Sequence, residues 1–271
     1  MSEIAVPGSP YALTGDADGN VWATLLDPPG LARVAAGEVS VEPLPDRPML
    51  LTVAPDDALW YTAGDRLGRR DPSGAHSVTE LPAGSAPYGI AAAPDGTIWF
   101  TAPGSNRIGK LGDDLRFLDI PVPDAFAAMI TVAPDGTVWA ALNKAGALAR
   151  VRDGAVDVVD LPEGFAPVGV TASEAGVWFA DIAGGRVGRL DPSGELHTSV
   201  FDVTSRPHAV AADHDGGCWA TLWGSGELAH VTARGETTTY PLPGEEPHGL
   251  WVSPTGVWVA MESGSLVAVE Y

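Results

Sequence analysis

A single cysteine, Cys218, stands in 271 residues, so no internal disulfide can form and a reducing compartment is the simpler expectation. Cations are scarce too. Fifteen Lys and Arg face 35 Asp and Glu, a net charge of −20 at pH 7. A surface of that sign repels phosphate backbones and anionic membranes, which argues against nucleic acid and lipid as partners. No apolar run approaches the roughly eighteen residues of a membrane span. Met1-Ser2-Glu3-Ile4 offers neither the basic nor the apolar region of a secretory signal. A cytoplasmic monomer is the expectation.

Glycine and proline, by contrast, are plentiful. Gly 33 and Pro 24 make up about a fifth of the chain, which disfavours long helices and favours short strands joined by turns. Seven of the nine tryptophans recur at positions 22, 60, 99, 139, 178, 219 and 258, spaced by 38, 39, 40, 39, 41 and 39 residues. Around each, an apolar run is followed by a turn such as Pro94-Asp95-Gly96 and then by apolar-Trp, with Asp-Gly expected to supply the positive φ of a hairpin. Later in the unit come segments such as Leu67-Gly68-Arg69-Arg70-Asp71-Pro72 and Val187-Gly188-Arg189-Leu190-Asp191-Pro192, read as a third strand turning into a fourth. Four strands in about 39 residues is the spacing of a propeller blade. Seven such units fill residues 1–271 as one all-β domain, a seven-bladed β-propeller. A solenoid is the alternative, but it needs capping units that are not evident. The last blade, ending at Tyr271, shows no fourth strand of its own, and residues 3–7 resemble the missing one, which would close the ring and cover both edges.

A propeller does not specify chemistry, so function is sought where the repeats disagree. Eleven residues before Trp, or ten in blades five and seven, the innermost strand carries Tyr11, Met49, Tyr88, Ala128, Val168, His208 and His248. One histidine there would ordinarily be a packing residue, whereas two in register on adjacent blades point to a site. Glu246 lies two residues before His248, on the same face if the segment is extended. Hairpin pairing should bring Glu262 back towards both. Two carboxylates with open positions suit Mg²⁺, whereas a closed zinc site would need more nitrogen or sulfur ligands. His76, His197 and His214 read as turn or surface residues, His230 as part of a third strand away from the axis, and Cys218 as a small buried hydrophobe. No nucleophile elbow or P-loop is present.

Ser205-Arg206-Pro207-His208-Ala209-Val210, Glu246-Pro247-His248-Gly249-Leu250 and Trp258-Val259-Ala260-Met261-Glu262 resemble, in order and position, the signature segments of the streptogramin B (virginiamycin B) lyases. The resemblance extends over all seven blades, and it implies a seven-bladed propeller that opens a cyclic depsipeptide antibiotic by Mg²⁺-dependent elimination. It further implies Glu246 and Glu262 as metal ligands, His248 as general base, and His208 and Tyr11 as contacts to the small-molecule substrate. One departure bears on substrate recognition. Most blades of the family carry Glu three residues after Trp, whereas this chain has Leu25, Ala63, Ala102, Leu142, Asp181, Leu222 and Met261. Two rival classes remain: a lactone hydrolase on a related propeller, which would want Asn or Asp ligands from several blades where only Asn106 and Asn143 offer amides beyond the tip residue Asn20, and a non-catalytic binding propeller.

Overall fold

The computed structural model describes residues 1–270. Tyr271, where the sequence places the end of blade seven, lies outside them. Among the described residues seven four-stranded antiparallel sheets follow one another, with two three-residue 3-10 turns, Pro103–Ser105 and Val203–Ser205, beside them. Blades one to six span residues 10–43, 48–80, 90–119, 127–160, 167–200 and 207–241. Blade seven takes three strands from the C-terminal end, Pro247–Ser253, Gly256–Met261 and Ser265–Glu270, and its outermost strand from Ser2–Ala5. The closing strand pairs Ser2 with Ala268 and Ala5 with Ser265. The expected closure by the N-terminal segment is therefore observed, slightly earlier than residues 3–7.

The innermost strands of neighbouring blades pack against one another all the way round, including blade seven against blade one. Threonine two residues after Trp ties several of these joints. The Oγ1 of Thr24, Thr62, Thr101 and Thr221 accepts a backbone N–H within its own blade. It then donates across the joint to the carbonyl of Met49, Tyr88, Ala128 and His248 respectively, at 2.7–2.8 Å. Alanine replaces this threonine in blades four, five and seven, as Ala141, Ala180 and Ala260, and in blades five and seven a glycine on the inner strand lets the backbones approach closely. A Cβ on Gly169 would meet the His208 carbonyl at 2.4 Å, and one on Gly249 would meet the Tyr11 carbonyl at 2.9 Å.

The tryptophan register has a cross-strand cause. Trp22, Trp60, Trp99, Trp139 and Trp178 face Arg33, Arg69, Lys110, Arg150 and Arg189 on the third strand, and each cation lies 5.1–5.8 Å from its ring. In blade six the partner is His230, stacked on Trp219 at 4.4 Å. The Asp-Gly turns differ from expectation in detail. Only the glycine is left-handed, at φ 84° for Gly96, while Asp95 accepts a hydrogen bond from the Thr97 amide. Blade two has Asp57, at φ 59°, in the glycine's place.

Candidate active site

Inner strands in six blades share a bulge just after their first residue, as between Pro207 and Val210 or Pro247 and Leu250. A bulge re-aims the side chain it carries. That side chain is Tyr11 in blade one, His208 in blade six and His248 in blade seven, and these three come together at the axis. The rings of His208 and His248 meet edge-on at 4.8 Å, and Tyr11 lies 4.4 Å from His248 and 6.3 Å from His208. All three are buried.

Nε2 of His248 lies 2.7 Å from Oε2 of Glu262. A carboxylate only accepts, so this contact places the imidazole proton on Nε2 and leaves the Nδ1 lone pair free. Nδ1 is buried and has no partner, as is Nδ1 of His208. Burial holds both rings neutral. His208 is pushed down to about 3 by loss of hydration and then by its neighbour His248, and His248 is lowered by burial against an opposing pull from Glu262.

Glu246 departs from the extended geometry expected of it. It precedes the strand in a left-handed conformation, φ 57°, so alternation along an extended strand does not set it on one face with His248. The hairpin does bring Glu262 back to it as expected, because the Glu262 amide donates to the Glu246 carbonyl at 3.1 Å. Partial loss of hydration, and then the Glu262 carboxylate beside it, raise the Glu246 pKa. Two carboxylates held this way are the hard oxygen donors a divalent cation would relieve, so the residues fit Mg²⁺ in an open site. The ligand atoms of Asp191, Glu195 and His197, on the exposed rim of blade five, also lie within 4.8 Å of one another, away from the two axial histidines.

Trp223, four residues after its tryptophan as Glu262 is after Trp258, stands 6.1 Å from His248 beneath the Arg206 guanidinium. Its indole N–H is also buried without a partner. The shared register with Glu262 could have marked it in the sequence. Substitution of the family's blade carboxylates has a different meaning from the one its pattern implied. Leu25, Leu142, Leu222 and Met261 are wholly buried, so the position faces blade interior and not substrate. The one carboxylate kept there, Asp181, is wholly buried as well, and accepts from Arg186 and the Ala166 amide. Of the amides a lactone hydrolase would require, Asn106 is engaged at both ends, its NH2 donating to the Val122 carbonyl and its oxygen accepting from the Ala125 amide, while Asn143 and Asn20 donate through their NH2 groups to the Ala166 carbonyl and to Asp16.

Fold and geometry together define a seven-bladed β-propeller with a neutral histidine, oriented by a carboxylate, at its axis. The model of the virginiamycin B lyase family matches residues 1–269, and the chain belongs to that family, which makes it a lyase. It is 38% identical over 279 residues to a virginiamycin B lyase of Nocardia farcinica (strain IFM 10152), covering all of this chain and 98% of the relative. The crystal structure of the selenomethionine-substituted virginiamycin B lyase from Staphylococcus aureus superposes with a TM-score of 0.93 at 28% identity, covering 100% of this chain and 98% of that one. A catalytically inactive histidine-to-alanine form of the Staphylococcus aureus enzyme, with quinupristin, matches with the same score, identity and coverage.

Proposed function

We propose that this protein opens streptogramin B antibiotics at their ring-closing ester by elimination, with His248 as general base. The observation that carries the reading is the free, buried Nδ1 of a histidine whose Nε2–H is committed to Glu262. A neutral imidazole can accept a carbon-bound proton at neutral pH, and Glu262 stabilises the imidazolium that forms. Nδ1 takes the threonine α-proton. The electron pair of that C–H bond becomes the new double bond, and the β carbon–oxygen bond breaks to release a carboxylate. His208, held neutral, offers a hydrogen bond through its unpaired nitrogen, and Tyr11 walls the other side of the base. Glu246 and Glu262 would hold Mg²⁺, which when bound supplies charge stabilisation at the departing ester oxygens. The cyclic depsipeptide is thereby linearised and inactivated, so resistance follows from the chemistry.

Mass spectrometry of a streptogramin B incubated with the protein tests this, in ¹⁸O-labelled water and with or without EDTA. The expected product is linear, of unchanged mass and without label, and it disappears with EDTA. His248→Ala should lower the rate by a factor on the order of 10² or more. A product heavier by one labelled water would overturn elimination in favour of a lactone hydrolase, and an untouched antibiotic would leave a binding propeller.

A further inference from the structure

Tyr88 occupies in blade three the register that Tyr11 occupies in blade one, and the ring's curvature brings the two hydroxyls to 2.6 Å across 77 residues of sequence. The Tyr88 backbone is held on every side. Its carbonyl accepts from Thr62 Oγ1 at 2.8 Å, its amide donates to the Thr101 carbonyl, and the next amide, of Gly89, donates to Thr101 Oγ1 at 2.7 Å. Gly89 admits no side chain, because a Cβ would meet the Ala128 carbonyl at 2.5 Å. Tyr88 is thus a fixed post. Tyr11 is the group it holds, and Tyr11 rests on the His248 ring at 4.4 Å.

We infer that Tyr88 is a positioning residue for the elimination, acting through Tyr11: its hydroxyl fixes the Tyr11 phenol against His248 and so sets the direction in which the base presents Nδ1. This rests on the reading of His248 as base. Two phenols carry two hydroxyl protons and spend one between them, so the pair also retains one proton for a substrate oxygen.

Tyr88→Phe keeps the ring and removes only the hydroxyl. The variant should turn over more slowly by roughly five-fold, the rate equivalent of one neutral hydrogen bond, with KM within two-fold of the parent. Tyr11→Phe with Tyr88→Phe should be no slower than Tyr11→Phe alone, because the two act as one unit. Unchanged turnover in Tyr88→Phe, or single effects that multiply in the double variant, would overturn the inference. A second measurement needs no substrate: in protein labelled with ¹³C at tyrosine Cζ, Tyr88→Phe should shift the Tyr11 resonance. Absence of that shift also overturns the pairing. A protein that opens no streptogramin fails the functional reading alone, and the resonance still decides the pair.

Discussion

At the scale of single residues, the site's defining property is the neutrality of two buried imidazoles. For His208 this has a measurable cost in acid. Its pKa in the folded protein is pushed down to about 3, while the unfolded chain titrates near the ordinary 6.5. Above pH 6.5 neither state holds the proton, and His208 contributes no pH dependence. Between about 6.5 and about 3 the unfolded state binds the extra proton, so stability falls as pH drops, by up to about 1.4 kcal/mol per unit. His208→Asn removes that linkage. Urea unfolding at pH 7 and at pH 4.5 should show the variant losing less stability between the two than the parent, by on the order of 1 kcal/mol or more. Equal losses would mean that His208 is not held neutral. The histidine register was legible in the sequence because the repeat fixes which residues share a blade position. The conformation of Glu246 was not, since a left-handed residue before proline runs against local preference and is imposed by the loop it closes.

Elements carry these residues through the joints between blades. The Thr221 hydroxyl both accepts the Ala209 amide, next to His208, and donates to the His248 carbonyl, so one side chain ties the two histidine strands together. Alanine fits this position, as wholly buried Ala180 and Ala260 do in their own blades. Thr221→Ala leaves a buried donor and acceptor unpaired, at a cost of about 1–3 kcal/mol. Thr101→Ala, which unties the joint ending at the Ala128 carbonyl, should cost a similar amount. Turnover separates the two: Thr221→Ala should slow the enzyme several-fold more than Thr101→Ala, and matching rates would show that the clasp holds the fold without aiming the base. The tryptophan spacing disclosed the blades because each Trp meets its third-strand partner. The Tyr11–Tyr88 contact stayed hidden, since it depends on how far the ring bends between blades one and three.

For the whole molecule, closure decides whether the axial site exists at all, because Tyr11 and His248 belong to the two blades that meet where the ring joins. The joint is covalently open and is held by strand pairing and side-chain burial. Ser2–Ala5 pairs with the last strand, the Val6 amide donates to the Gly264 carbonyl, and Ile4 and Val6 pack with Leu13, Leu25, Ala260 and Leu266. Removing residues 1–8 exposes the edge of Ser265–Glu270 and deletes these apolar contacts. Burial of one such side chain contributes about 1.5–3 kcal/mol, so the loss for Ile4 and Val6 together is on the order of 3–5 kcal/mol. At about 2–4 °C per kcal/mol for a chain of this size, the melting temperature should fall by on the order of 10 °C. The bare edge should also promote self-association, visible by sedimentation. Scanning calorimetry of the truncated protein is the direct measurement. A melting temperature equal to that of the full chain would mean that the seam between blades seven and one is held by the inner strands alone, with the N-terminal strand adding nothing to closure.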